Sequence, residues 1–353
     1  MSLSDHRQAI DKLDADIVRL LNERTKHALE IGAWKLQHGQ EIYAPHRERA
    51  VFQRLRKLNP GPITEASLRA IYREVMSSAL YLEKSLKIAY LGPEATFTHQ
   101  AAIRKFGSSL QYVALRTIGE VFAEVNRDRA DYGVVPVENS TEGVVTHTLD
   151  MFVDSELKIV AQIVLPIQHC LISRFKHAAI KRIYSHPQAL GQCRYWLQNH
   201  FPEAEILETS STTRAAQVAS TEKNSAAIAS SLAAERYKLS VLDVDIQDNP
   251  ANATRFLVLG RQCSPPTGKD RTSLMINIAD EVGALHRVLG VFRKFRINMT
   301  KIESRPSRRK AWDYFFFIDC DGHAEDKKVS KAIVELQKMS NRVKVLGSYP
   351  NSE

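Results

Sequence analysis

The chain is poor in the features that mark several large classes of protein. Its four cysteines, Cys170, Cys193, Cys263 and Cys320, lie far apart and form no Cys-x-x-Cys pair. A zinc site or disulfide framework is therefore not expected, and isolated thiols usually act as small apolar fillers. There is no HExxH, EF-hand loop or phosphate-binding GxxxxGK(S/T) segment, so no metal and no cofactor is implied. No apolar run reaches the ~18 residues that a membrane span needs. The first residues, with Asp5, His6, Arg7, Asp11 and Lys12, read as polar helix and not as a signal peptide, which makes the cytoplasm the expected location. Basic stripes interleaved with aromatics are also missing. The densest run, Arg308-Arg309-Lys310, reads as a solvated loop, and no nucleic-acid partner is expected.

What is present fits a soluble protein of two or three domains: 353 residues, 44% hydrophobic and 25% charged. The net charge of +9 is unevenly spread, with +4 on residues 1–87, −1 on 88–268 and +6 on 269–353. Such a cationic excess suits small polyanionic ligands.

Residues 1–86 read as helix throughout. No proline interrupts Leu3–His38, and apolar residues recur at helical spacing up to the stop at Gly39. That helix would be ~50 Å long. A domain of this size cannot bury it alone, so a second copy of the chain is expected along it, giving a homodimer or a higher homo-oligomer. Pro45 opens a second helix, Asn59-Pro60-Gly61-Pro62 ends it, and Thr64 or Ser67 caps a third that runs to about Ser85. Beyond Leu86, short apolar runs alternate with helical stretches, which indicates α/β structure in two lobes crossing near Pro166. Cys263–Lys269 reads as a linker. The remainder follows the order βαββαβ of a ferredoxin-like unit, with strands expected at Leu274–Ile278, Met299–Ser304, Trp312–Cys320 and Val343–Ser348.

Arg24 and Lys35 are 11 positions apart and fall on the apolar stripe of Ile17, Leu21, Ala28 and Ile31. No carboxylate shares that stripe. Either a ligand supplies the anion, or the long side chains run out to water at a dimer edge. Glu48 aligns with Val51, Leu55 and Leu58 on the second helix, and Glu83 with Tyr72, Met76 and Leu80 on the third; each alone could be a surface ion pair. Together, Arg7, Arg24, Lys35, Arg47-Glu48 and Glu83 resemble the all-helical chorismate mutases. The resemblance implies that Arg24 and the partner copy's equivalent of Arg7 grip the substrate carboxylates, with Arg47 in support and Glu48 lining the site. It also implies that Lys35 and Glu83 hydrogen-bond the ether oxygen. A Claisen rearrangement offers no nucleophile and no proton transfer, so positioning and charge stabilisation are all an enzyme can supply. Two positions depart from the pattern. Ala44 stands where relatives often have Asp, and Glu83 where some have Gln; a Glu there can donate only when protonated.

Four polar segments follow expected strands in the middle region: Gly92-Pro93-Glu94-Ala95-Thr96-Phe97, Pro136-Val137-Glu138-Asn139-Ser140-Thr141-Glu142-Gly143, Ser185-His186-Pro187-Gln188 with Gln192-Cys193, and Asn252-Ala253-Thr254-Arg255-Phe256. Open α/β sheets bind ligands at such places. In this order the strings resemble prephenate dehydratase, whose fold is two-lobed α/β of the periplasmic-binding-protein type. The resemblance implies Thr254 as the residue most directly tied to catalysis and Arg255 and Phe256 as positioning substrate. Thr96, Phe97, Asn139, Ser140, Ser185, Gln192 and Thr212 would line the site, and Glu138 would orient Asn139. Ala95 replaces a usual glycine, and would be strained if its φ is positive. His99, His147, His169 and His186 form no recognisable dyad.

Finally, Gly283-Ala284-Leu285 with Leu289, and Glu303-Ser304-Arg305-Pro306, resemble the amino-acid-binding ACT domain. That implies L-phenylalanine as effector, held near Gly283, Ala284, Leu285, Asn298, Glu303, Ser304 and Arg305, with feedback inhibition by linkage. The expected layout is a mutase domain at 1–86, a dehydratase domain at 87–262 and an ACT domain at 271–349, acting on chorismate and prephenate. The competing reading is a two-lobed sensor without catalysis; a decayed mutase half attached to a regulated dehydratase is intermediate between them.

Overall fold

A computed structural model describes residues 2–307 and 313–351. The Arg308-Arg309-Lys310 run and the expected strand start at Trp312 lie outside the described residues. The chain divides into two compact units, residues 1–87 with 105–111, and residues 88–104 with 112–353.

The first unit is built on three helices, α1 (Leu3–Gln37), α2 (Pro45–Leu58) and α3 (Glu65–Glu83). Ser2 and Asp5 form a capping box at the start of α1, and the Thr64 hydroxyl caps α3. Helix α1 has one buried residue, Gly32, while Ile10, Leu13, Ile17, Val18 and Ile31 stay exposed. A long helix this bare of packing is stabilised by little within its own unit.

The second unit contains both the middle and the C-terminal regions. Its first lobe holds β1 (Lys87–Leu91), α4 (Phe97–Phe106), β2 (Gln111–Leu115), α5 (Ile118–Asn126), β3 (Tyr132–Asn139), β4 (Gly143–Val144), α6 (Thr146–Met151) and β5 (Lys158–Pro166). The end of α4, from Lys105, and the turn after it belong to the helical unit. The second lobe holds β6 (Cys170–Ser173), β7 (Arg182–Ser185), α7 (Pro187–Gln192), α8 (Arg194–His200), β8 (Glu205–Glu208), α9 (Thr212–Ala219), β9 (Ser225–Ala229), α10 (Ser231–Tyr237) and β10 (Ser240–Asp243). The chain then returns to the first lobe as β11 (Ala253–Gly260). The sheets run β2-β1-β3-β11-β5, with β4 on β3, and β10-β6-β9-β7-β8. The two crossings lie side by side, joined where the Ile167 amide donates to the Asn252 carbonyl (2.9 Å) and the Ile246 amide to that of His169 (3.1 Å).

The C-terminal part consists of β12 (Asp270–Asn277), α11 (Ala284–Lys294), β13 (Met299–Pro306), β14 (Tyr314–Asp321), α12 (Lys327–Met339) and β15 (Arg342–Pro350), with sheet order β13-β14-β12-β15. This is the expected βαββαβ unit. Its helices cover one face of the sheet over Leu274, Ile276, Ile318 and Cys320. The other face is not independent. Met275, Phe315, Phe317, Leu346 and Tyr349 share one hydrophobic cluster with Val137, Phe152, Ile159 and Leu257 of the first lobe. Gly347 shows how close the approach is, because a Cβ there would collide with the backbone of Ile159. The linker at 263–269 thus joins two parts of a single core.

Candidate active sites

In the helical unit a cavity of about 300 Å³ is lined by Arg24, Ile31, Lys35, Ala44, Arg47, Glu48, Ala79 and Glu83 among others. Helical spacing brings Arg24 and Lys35 to the same wall. Arg24 Nη1 is buried without a hydrogen-bond partner among the described residues, while Lys35 Nζ donates to the Ile42 carbonyl (2.8 Å). Burial lowers the Lys35 pKa, against the opposing pull of Glu83. Burial raises the Glu83 pKa, against Lys35 and Arg24. Each pair of effects has the same physical source: half-buried groups lose hydration, and the opposite charge returns only part of it. Arg7 sits exposed near the start of α1, and the cavity is lined without it.

Three cavity features have no local sequence signal. Gly32 lets Glu83 lie against α1, since a Cβ at Gly32 would be 2.8 Å from Glu83 Cγ. Lys105, from the end of α4, pairs with Glu48 Oε2 at 2.9 Å, and the Tyr43 hydroxyl donates to the same oxygen at 3.1 Å. Ala44 is the N-cap of α2 and offers it no side-chain hydrogen bond.

In the second unit the cleft site forms where the two crossings meet, and strand alternation explains its composition. Across the antiparallel pair β3–β11, Asn139 faces Thr254 and Glu138 faces Arg255. Asn139 and Thr254 point to the cleft. Asn139 Nδ2 donates to Thr254 Oγ1 (2.8 Å) and to Asn252 Oδ1 (2.8 Å), while its Oδ1 accepts from the Thr141 hydroxyl (2.6 Å). Since Thr254 Oγ1 accepts from Asn139, its own proton is available to a ligand. The network continues across the lobes. Asn252 Nδ2 donates to Gln192 Oε1 (3.0 Å), and Gln192 Nε2 donates to Glu142 (3.2 Å). His169 Nε2 lies 2.9 Å from the same Gln192 Oε1. That oxygen can only accept, so His169 carries its proton on Nε2. Its Nδ1 is left buried without a partner among the described residues. Burial lowers the His169 pKa, against the Gln192 hydrogen bond, and the ring is a neutral donor. Asn252 and His169 are the cleft residues that motif reading undervalued. Asn252 lies two positions before Thr254, immediately ahead of β11, and its place in the same polar segment was the available signal.

The remaining expected residues fall into distinct groups. Phe97 packs edge-on against His169. Ser140 and Ala253 exchange hydrogen bonds, and the Ser185 hydroxyl donates to the Ile228 carbonyl (2.7 Å). Thr96 Oγ1 donates to the Pro93 carbonyl (3.0 Å), and Thr212 opens α9. Phe256 is buried in the core. Glu138 and Arg255 occupy the opposite face from Asn139 and Thr254, because neighbours on a strand alternate. Glu138 pairs with Lys301 at 2.9 Å, and Arg255 with Asp319 at 2.6 Å. Ala95 has φ 62°, the left-handed conformation in which a side chain is strained. His99 accepts from the Ala95 amide and His186 caps α7, so both rings have structural work.

On the C-terminal sheet, Gly283 adopts φ 81° immediately before Ala284 and Leu285 at the start of α11. Asn298 Nδ2 donates to Asp321 (2.9 Å). Along β13, Glu303 and Arg305 share the half-buried face while Ser304 is exposed. Arg305 is already engaged in a two-pronged pair with Asp150, both bonds 3.0 Å. Among the described residues no group of three or more His, Cys, Asp or Glu is placed to hold a metal, and no helix is long and apolar enough to cross a membrane.

Comparison with known proteins agrees with this geometry. The family models for chorismate mutase type II, prephenate dehydratase and the ACT domain match residues 6–84, 88–264 and 272–337. A bifunctional chorismate mutase/prephenate dehydratase of Aquifex aeolicus (strain VF5) is 48% identical over 99% of this chain and 98% of its own. Among solved structures, the prephenate dehydratase of Arthrobacter aurescens in complex with L-Phe has a TM-score of 0.71 at 34% identity, covering 75% of this chain and 90% of that one. A protein described as a novel type of quorum quenching acylase has a TM-score of 0.70 at 28% identity, covering 75% and 98%. Fold alone therefore does not decide the reaction; the residues in the cleft do. With its helical cavity, its Asn139–Thr254 cleft and a relative nearly half identical from end to end, the chain belongs to the bifunctional chorismate mutase/prephenate dehydratases.

Proposed function

We propose that the helical cavity rearranges chorismate to prephenate, that the cleft converts prephenate to phenylpyruvate, and that L-phenylalanine binding at the ACT domain inhibits by feedback. The observation that carries the reading is the cavity wall on which Arg24 Nη1 is buried without a hydrogen-bond partner among the described residues, beside Lys35 and Glu83. Such a site is completed by a dianion with an ether oxygen: Arg24 and the partner's Arg7 take the carboxylates with Arg47 in support, and Lys35 and protonated Glu83 donate to the oxygen as charge builds there. The exposed apolar stripe of α1 is covered by a second copy of the chain, which also brings its Arg7 to the cavity.

In the cleft, the C–C bond to the ring carboxylate breaks and releases carbon dioxide. Its electron pair enters the ring, and the hydroxyl leaves with the C–O bonding pair as hydroxide, which takes a proton from solvent to become water. Thr254, held by Asn139, donates a hydrogen bond to the departing oxygen; a threonine is too weak an acid to act alone, so the Asn139–Asn252–Gln192–His169 chain orients the group. L-phenylalanine is held near Gly283–Leu285, where backbone without a side chain admits the ligand, between two ACT domains. Separate assays on chorismate and prephenate test the two chemistries. Turnover of both is expected, and folded protein inert toward prephenate would remove the reading. A titration showing no phenylalanine affinity at millimolar levels would remove the regulatory part.

A further inference from the structure

The face of β11 opposite Thr254 carries a closed ring of hydrogen bonds that reaches into the ACT sheet. Arg255 Nη1 donates to Asp319 Oδ2 (2.6 Å) and Nη2 donates to the Tyr349 hydroxyl (2.9 Å). Ser273 Oγ donates to Asp319 Oδ1 (2.5 Å), because an ionised carboxylate can only accept. Ser273 Oγ must therefore accept from Tyr349, 2.7 Å away, whose oxygen in turn accepts from Arg255. Burial pushes the Tyr349 phenol up to about 12, which keeps it a neutral link. Asp319, Ser273 and Tyr349 are all buried. Beside the ring, Lys301 of β13 holds Glu138, the residue that faces Arg255 across the β3–β11 pair.

We propose that Asp319, Tyr349 and Ser273, all on the ACT sheet, are positioning residues for dehydration, acting through Arg255 to fix the strand that presents Thr254 to the cleft. Three observations converge on this. The four hydrogen bonds of the ring have one consistent set of directions, which holds both Nη groups of Arg255 in a single geometry, while its Nε is buried without a partner among the described residues. Arg255 and Thr254 are consecutive, and the β3–β11 register shifts between Arg255 and Phe256, so the pairing is irregular on the β3 edge where the ring attaches, while β5 pairs regularly with these residues along the other edge. The ring also joins the cleft strand to the sheet proposed to sense phenylalanine, so a displacement of that sheet moves the strand carrying Thr254. The inference rests on the reading of the cleft as the site of dehydration.

The test uses the full-length enzyme, whose two activities report separately. Asp319→Asn keeps shape and removes charge. Expected is a fall in dehydratase kcat of roughly 10- to 100-fold with KM within about twofold, while mutase turnover of the same preparation is unchanged. The double variant Arg255→Lys/Asp319→Asn is expected to be no slower than Arg255→Lys alone, since both changes break one ring; additive losses would mean that Asp319 does not act through Arg255. If Asp319→Asn does not fold, Tyr349→Phe removes a single hydroxyl from the same guanidinium and is expected to lower kcat several-fold. Wild-type dehydratase kcat in either variant, or additivity in the double variant, would overturn the proposal. A parent enzyme that leaves prephenate untouched would overturn the reading of the cleft together with it, whereas an active parent with indifferent variants overturns this inference alone.

Discussion

The helical cavity and the cleft differ in what they are made of. The cavity is walled by formal charges, Arg24, Lys35, Arg47, Glu48 and Glu83, and Arg24 Nη1 is buried there without a hydrogen-bond partner among the described residues. The cleft network consists of amides, hydroxyls and a neutral imidazole, Asn139, Asn252, Thr254, Gln192 and His169, almost all mutually bonded. The contrast follows the two reactions. A rearrangement without proton transfer gains only from fixed electrostatics, so a wall of fixed charges is useful. Departure of a hydroxyl gains from a well-aimed donor, so a network that fixes hydrogen positions is useful. Two full charges, Glu138 and Arg255, lie on the reverse side of the strands that carry Asn139 and Thr254, while the carboxylate of Glu142 meets the network at Gln192.

The comparison breaks most sharply at Lys35. Lys35→Ala is expected to lower mutase kcat about 10²- to 10³-fold, as for loss of an oxyanion donor, with dehydratase turnover intact; equal losses in both assays would show that the sites are not separate. The reciprocal change, Thr254→Ala, is expected to lower dehydratase kcat at least ~100-fold and spare the mutase, as measured by prephenate turnover. Next is Gly32→Ala, whose Cβ would meet Glu83 and push it from the cavity. Mutase kcat should fall roughly tenfold, about one donor's worth of hydrogen bonding, and the same residue should not register in the cleft assay.

The smallest effect is in pH. Glu83 has its pKa raised by burial, against Lys35 and Arg24, and it donates only while protonated. Mutase kcat should therefore decline as pH rises through that elevated pKa, where ionisation removes the donor and places a negative charge beside the developing one. Glu83→Gln donates at every pH and should flatten that limb, leaving a fall only at higher pH as Lys35 loses its proton. A wild-type profile already flat, with Glu83→Gln inert, would remove Glu83 from the mechanism.

Much of this architecture could be read along the chain because periodicity is a local property. A period of 3.6 sets Arg24 and Lys35 on one wall of α1, and a period of 2 sets Thr254 opposite in sense to Arg255. Pro45, Thr64 and the polar segments after β1, β3 and β7 mark element ends for equally local reasons. Periodicity says which residues share a face but not what that face will meet. The meeting of Lys105 with Glu48, of Lys301 with Glu138 and of Arg255 with Asp319 joins residues dozens of positions apart, and only packing brings them together. The same holds for the core. The linker at 263–269 marks where the C-terminal region begins but not what that region packs on; Gly347 against Ile159 lets the two sheets close on each other until their apolar faces form a single cluster. Sequence alone thus determined the elements, their faces and the residue types that line the helical cavity and the cleft. Tertiary structure decided which charges are compensated, because the cost of burying a charge depends on partners that the neighbouring sequence does not contain.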